Sequence, residues 1–424
     1  MQDSLNLMLK GNQEFIMIDE QKVVYEEALR LANDAQRTNT KQTLVVDGGP
    51  GTGKSVLAVN LLVELTNRGM VAQYVTKNAA TRNIYSTKLK GDFKKTHIDN
   101  LFKGSGSYVD APENEFDVLI VDEAHRLNEK SGMFQNLGEN QIKELINAAK
   151  TTIFFIDERQ RIHIKDIGSI EMIEDFTKEL GGEMTRKELV SQFRCNGSDG
   201  YLAWIDDVLQ IRETANTNYI GKDYDFRVYD DPHELLDTIQ TLNKAANKSR
   251  MLAGYCWEWP TDTRTKTDVP DIIIEKHDFG ISWNLGNTDT WAIDETSVNE
   301  AGCIHTSQGL EFDYVGVIIG DDLVYRNGRV ETDHTKRART DRSLFGIKKM
   351  FKEEPERAQK LSDEIIRNTY RTLMTRGQKG CFIYCTDKEL SKYFRSRLNR
   401  IIQFESHEMF KEGWKVAEEK EGYH

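Results

Sequence analysis

The sequence predicts an α/β protein of two tandem domains, each a parallel sheet wrapped by helices, and three observations carry that expectation. Short apolar runs rich in β-branched residues alternate with helical patterns along the chain, the texture of strands buried on both faces. A glycine-rich loop, Gly48-Gly49-Pro50-Gly51-Thr52-Gly53-Lys54-Ser55, joins one such run to a helix. A length of 424 residues, 38% hydrophobic and 30% charged, exceeds one ordinary core and is unlike a disordered chain.

In the first domain, expected over residues 1–195, the apolar runs fall at 43–47, 71–75, 118–122 and 152–157. In the second, expected over 196–424, they fall at 251–255, 314–319 and 380–384, with helical patterns near 233–247 and 361–376. The Thr-, Asp- and Trp-rich stretch near 257–299 lacks periodicity and reads as an irregular insertion. The last twenty residues, rich in Glu and Lys, read as a terminal helix or frayed tail.

Composition excludes several classes. No apolar run is long enough to span a membrane, and the N-terminus lacks the pattern of a signal peptide, so a cytoplasmic protein without a membrane partner is expected. The five cysteines form no CxxC pair and read as buried core thiols. A net charge of −12 argues against a broadly basic nucleic-acid footprint, although a local groove can still be basic. The stretch from Arg326 to Lys352 departs from that average with nine Lys or Arg, and is either a solvated face or a polyanion contact.

The glycine-rich loop lies between an apolar run and the helical pattern from Val56 to Leu65, the context of a phosphate-binding loop. Gly48, Gly49, Pro50, Gly51, Thr52 and Gly53 would wrap backbone amides around the β-phosphate, Lys54 would neutralise the β- and γ-phosphates, and Ser55 would ligate Mg²⁺. Asp122-Glu123-Ala124-His125 ends another run and therefore stands at the carboxyl edge of the sheet. Asp122 is the candidate for holding Mg²⁺ and Glu123 the candidate for polarising an attacking water.

Together with six further segments, this ordered set resembles the superfamily 1 helicases and translocases. Asp19-Glu20-Gln21-Lys22 resembles the glutamine motif, which implies that Gln21 reads adenine. Tyr74-Val75-Thr76-Lys77-Asn78 resembles the segment touching the nucleic-acid backbone, implying that role for Thr76, Lys77 and Asn78; the other reading is a helix N-cap after a strand. Asp157-Glu158-Arg159-Gln160 resembles the third motif and gives Gln160 the γ-phosphate sensor. In many members a Tyr and a Trp follow and stack on bases, whereas this chain has Arg161-Ile162-His163-Ile164.

Gln192-Phe193-Arg194 resembles the fourth motif and Met374-Thr375-Arg376-Gly377 the sixth, implying that Arg194 and Arg376 reach the transferring phosphate. His305-Thr306-Ser307-Gln308-Gly309-Leu310-Glu311 resembles the fifth, which places Gly309 and Glu311 near the nucleotide sugar and His305 and Thr306 toward nucleic acid. Residues 253–259 and 321–342 look like the schlafen-group helicase-like ATPases of bacteria.

The resemblance implies two RecA-like domains of the P-loop NTPase class with ATP and Mg²⁺ between them. It also implies ATP hydrolysis coupled to translocation on single-stranded DNA or RNA, in DNA repair or phage defence. About 45 residues separate the second-strand segment from the acidic box, and about 110 separate the fourth motif from the fifth, leaving room only for small accessory domains. The start of the chain lies too close to the glutamine motif for a preceding nuclease domain. The alternative is therefore an ATP-dependent switch acting on a protein partner such as a nuclease, without unwinding.

Overall fold

The computed structural model describes residues 17–89, 94–132, 136–191, 199–214, 220, 224–260, 262, 266, 269–283, 290–307 and 310–401. Arg194 and Gly309 lie outside the described residues, as do Cys195 and the chain beyond 401.

The first half is a six-stranded parallel sheet. It comprises β1 (Gln42–Gly48), β2 (Ala72–Thr76), β3 (Phe102–Lys103), β4 (Phe116–Asp122), β5 (Ala149–Ile156) and β6 (Glu183–Leu189), in the order β3-β2-β4-β5-β1-β6. Alternation explains why both faces are dry. Leu44, Val46, Ile120, Ile153 and Phe155 belong to one apolar cluster, while Val45, Leu119, Val121, Phe154 and Ile156 belong to another. Charged β6, with its partly exposed residues, forms the sheet edge, where charge discourages further pairing.

Helices cover both faces. Helix α1 (Asp19–Thr38) and helix α2 (Lys54–Asn67) contribute Val24, Leu29, Leu57, Leu61 and Leu62 to the first cluster. Helix α3 (Ala79–Leu89) follows β2 and α4 (Lys95–Leu101) precedes β3; α5 (Gln141–Ala148) and α6 (Ile170–Glu179) supply Ile142, Leu145 and Ile173 to the second cluster.

After α7 (Asp199–Val208), the second half builds a seven-stranded sheet. Its strands are β7 (Asp225–Tyr229), β8 (Ser249–Ala253), β9 (Ile272–Ile274), β10 (Phe279–Trp283), β11 (Glu300–Gly302), β12 (Phe312–Ile319) and the C-terminal strand Gly377–Cys385. All neighbours run parallel except β9 and β10. The stretch expected to be irregular is thus partly regular: Ile272-Ile273-Ile274 and Phe279–Trp283 form an antiparallel edge, with Trp283 buried. A separate hairpin pairs β13 (Leu323–Arg326) with β14 (Arg329–Thr332), which makes the C-terminal strand β15.

Helices α8 (Pro232–Asn243), α9 (Ile304–Ser307), α10 (Ile347–Glu353) and α11 (Pro355–Met374) complete this half. Cys303, Cys381 and Cys385 are buried, as expected of core thiols, whereas Cys256 is only partly buried. The two halves share packing, because Ile84 and Ile162 from the first half are members of the second half's apolar cluster.

Candidate nucleotide-binding site

The phosphate loop connects β1 to α2, and its shape depends on glycine. Gly51 and Gly53 have φ of 79° and 84°, a region that side chains avoid. At Gly53 a Cβ would also stand 2.3 Å from Gln21 Nε2. That amide donates to Thr52 O at 3.2 Å, and Gln21 Oε1 accepts from Ile18 N at 3.3 Å, so buried Gln21 braces the loop from α1. Lys54 folds back over the loop, donating to Gly48 O and to Gly49 O at 2.8 Å. Those carbonyls are what a phosphate oxygen would replace as its partners.

Strand β5 lies between β1 and β4, so the carboxyl ends of all three converge. Ser55 Oγ donates to Asp122 Oδ2 at 2.7 Å, and Tyr74 OH donates to the same oxygen at 2.5 Å. Burial is the largest influence raising the Asp122 carboxyl, with neighbouring Glu123 next. The hydroxyl and carboxylate are hard oxygen donors suited to Mg²⁺, which keeps several ligands from water and phosphate. Two such donors from the protein fit an ion that takes its remaining ligands from phosphate and water.

Glu123 has φ of 55°, unusual for a residue with a side chain and worth about 1–3 kcal/mol of local strain. Asp157 N–H donates to His125 Nδ1 at 3.4 Å, which leaves the ring proton on Nε2, 3.1 Å from Glu123 Oε2. Burial opposes ionisation of Glu123 most strongly, but His125, Lys54 and Arg376 together outweigh it and hold its carboxyl at about 2. The candidate base is therefore ionised at neutral pH.

From β5, Asp157 accepts from Arg159 Nε at 3.1 Å and from Gln160 Nε2 at 2.9 Å. Burial is again the largest influence, opposing ionisation, yet Lys54, Arg371 and Arg159 hold its carboxyl well below the usual range. Gln160 Oε1 accepts from Arg376 Nη2 at 3.2 Å, joining this wall to the second half. Arg376 is buried and also donates to Thr372 O at 3.0 Å and Leu310 O at 3.4 Å. Glu311 accepts from Gln378 at 2.5 Å near the start of β12.

Lys54, Ser55, Asp122, Glu123, Gln160 and Arg376 are thus brought together: Ser55 bonds Asp122, Arg376 bonds Gln160, and the charges of Lys54 and Arg376 act on Glu123. Arg159 and His125 joined them without being singled out in the sequence. The only signal was their place one residue before Gln160 and two after Glu123. Arg159 Nη2 would stand 3.7 Å from a Cβ on Gly49, and its side chain lines a cleft of about 1080 Å³ with Asp47, Asp157, Arg161 and, from α11, Arg357 and Lys360.

The nucleic-acid candidates are placed differently. Thr76 is buried beside Asp122, its register partner across β2 and β4. Asn78 Oδ1 accepts from Ala80 N at 3.1 Å at the start of α3, the capping geometry. Lys77 Nζ donates to Asn128 at 2.7 Å and to buried Asp166 at 3.0 Å. Thr306 Oγ1 bonds Cys303 O at 3.1 Å, and His305 Nδ1 lies 3.5 Å from Arg126 Nη2.

The chain matches the Schlafen group 3 DNA/RNA helicase domain model over residues 41–387. An uncharacterized protein of Saccharomyces cerevisiae is 25% identical over 392 residues, covering 84% of this chain and 83% of the yeast protein. Among solved structures, the Pif1 helicase of Candida albicans is 11% identical with a TM-score of 0.38, covering 90% of this chain and 100% of that one. Domain III of the Thermotoga maritima replication initiation protein DnaA is 16% identical with a TM-score of 0.26, covering 55% of this chain and 88% of that one. Structural likeness this weak carries no argument about activity. The family match spans well over half of the chain: this protein belongs to the Schlafen group 3 DNA/RNA helicase domain family.

Proposed function

We propose that the chain hydrolyses ATP with Mg²⁺ and couples turnover to movement along single-stranded DNA or RNA. The observation that carries this reading is the hydrogen-bonded chain from Asp157 through Gln160 to Arg376, which links the phosphate-loop wall to the second half. When bound, Mg²⁺ would neutralise charge on the phosphate oxygens, held by Ser55 and Asp122. Lys54 leaves the Gly48 and Gly49 carbonyls for the phosphates, and Gln21 keeps the loop in place; to read an adenine edge its amide would exchange its bonds to Thr52 O and Ile18 N. Glu123, ionised and oriented by His125, orients and takes a proton from the attacking water. Arg376, with Arg194, stabilises the charge that develops on the transferring group. Arg159, close to Gly49, stands on the phosphate side.

A second reading, a switch that acts on a protein partner such as a nuclease without unwinding, is supported by the burial of Thr76, Asn78 and Thr306. Steady-state ATP hydrolysis with and without single-stranded DNA and RNA separates the two. Stimulation by either strand is expected from the first, and equal rates in all three conditions would leave only the second. In both, Glu123→Gln retains bound ATP while turnover falls by about 10²- to 10⁴-fold, and Lys54→Ala loses turnover as well. Persistent hydrolysis in both variants would remove the assigned site.

A further inference from the structure

Phe345 is 68% exposed and is the one aromatic among the large exposed hydrophobic side chains of the described residues. Its position is fixed from below. Leu344 and Ile347 on either side are buried, Phe345 N–H donates to Arg342 O at 3.1 Å, and Gly346, at φ 95°, caps α10. Buried Ser343 binds Arg337 and Asp341 through its hydroxyl, and its carbonyl accepts from Ile164 N at 2.9 Å. The ring therefore projects from an anchored turn that touches the first half four residues after Gln160.

Its surroundings are cationic. Lys165 Nζ, from the first half, lies 5.5 Å from the ring centroid. Arg342, Lys348, Lys349 and Lys352 are exposed, and residues 342–352 contain no acidic side chain. Lys349 lies 3.7 Å from Glu353, whereas Arg342, Lys348 and Lys352 have no carboxylate partner among the described residues. In a chain of net charge −12, this patch leaves cations uncompensated.

We propose that Phe345 is a stacking platform for a base of a single-stranded nucleic acid, with Lys165, Arg342, Lys348 and Lys349 taking the flanking phosphates. The proposal rests on the nucleic-acid reading above. An exposed ring offers a π-face to an unpaired base and the cations attract the backbone, the two components of single-strand binding. Duplex DNA keeps its bases stacked on one another, and a single exposed ring on a turn rich in exposed cations is unlike the apolar centre of a protein interface. The stretch Arg161-Ile162-His163-Ile164, where many superfamily members carry aromatic residues, is followed directly by Lys165, which lies against an aromatic supplied by the second half.

Fluorescence anisotropy with a labelled oligothymidylate, at several salt concentrations, tests this on the full chain. Phe345→Ala is expected to weaken binding by about tenfold, within the range of one lost base stack, while Phe345→Trp retains it and shows quenching of the new indole. Lys348→Ala with Lys349→Ala should flatten the salt dependence by about 0.7 per lost phosphate contact. Wild-type binding that Phe345→Ala leaves unchanged would overturn the platform alone. Wild-type protein that binds no strand would overturn the platform together with the nucleic-acid reading beneath it.

Discussion

Two clusters meet at the same sheet edge, and their side chains are held by different kinds of bonds. Around the phosphate loop, Lys54 rests on loop carbonyls and Ser55 on Asp122, partners that a phosphate and a cation would replace. A few residues away, Lys77, Arg126, Asp166 and His305 form a largely buried junction that bonds mainly within itself, with Lys77 also donating to Asn128 and His163 within reach of the same charges. The first cluster is built to exchange its bonds with a ligand, and the second to keep them. This contrast explains how residues in similar sequence positions, Asp122 and Thr76 being register partners, lead to different expectations.

The strongest way to break the contrast is at the bond that ties the two halves at the phosphate side. Arg376→Ala is expected to lower the turnover number by about 10³-fold or more, the range of an arginine that stabilises a transferring phosphate. Arg376→Lys should rescue little, because a lysine cannot bridge Gln160, Thr372 and Leu310 with one planar group. Measuring turnover separately from the Michaelis constant for ATP is decisive. Turnover preserved in Arg376→Ala would make the contact with Gln160 a structural tie between halves.

The junction gives the next effect, on stability. Asp166 is fully buried between Lys77 and Arg126, at 3.0 and 3.8 Å. Removing it in Asp166→Ala leaves two cations facing each other and should cost about 3–5 kcal/mol in urea unfolding. Lys77→Ala, which loses a partly exposed side chain, should cost less and leave oligonucleotide affinity intact. If Lys77→Ala instead weakened strand binding at unchanged stability, Lys77 would belong to a nucleic-acid contact, as its resemblance implied.

What the sequence revealed follows the same division. Four strands of the first sheet, β1, β2, β4 and β5, and the central ones of the second announced themselves, since a strand buried on both faces must be apolar throughout, as in residues 118–122 and 314–319. Charged β6 and the short strands β3 and β11 did not, because pairing with a neighbour rather than their own side chains makes them strands. The phosphate loop was readable from a contiguous run whose glycines are required by its backbone. By contrast, the links from Gln160 to Arg376 and from Ile164 to Ser343 join residues far apart in the chain, and no local pattern encodes such distances. Phe345 was hidden for the opposite reason: within the basic stretch from Arg326 to Lys352, only the burial of Leu344 and Ile347 shows that this ring is left outside.

The smallest effect separates the clusters by pH. Burial, the leading cause in both, lowers the His163 imidazole from 6.5 to about 4 and that of His305 to about 3; Arg126 adds to both, while Asp166 and Asp341 work against them. As pH falls below 6.5, the unfolded chain takes up protons that the folded junction refuses. Stability from these groups is thus complete above that value and is lost progressively toward the folded pKa values. Glu123, lowered from 4.5 to about 2, keeps its contribution until pH drops through that more acidic interval. The junction should therefore weaken before the phosphate side does. Urea unfolding near pH 7 and near pH 5 should show a smaller loss for His163→Gln with His305→Asn than for the wild type, since neither replacement titrates. An equal loss in both proteins would mean that the two histidines are already matched in the unfolded chain, and that burial at the junction does not set its response to acid.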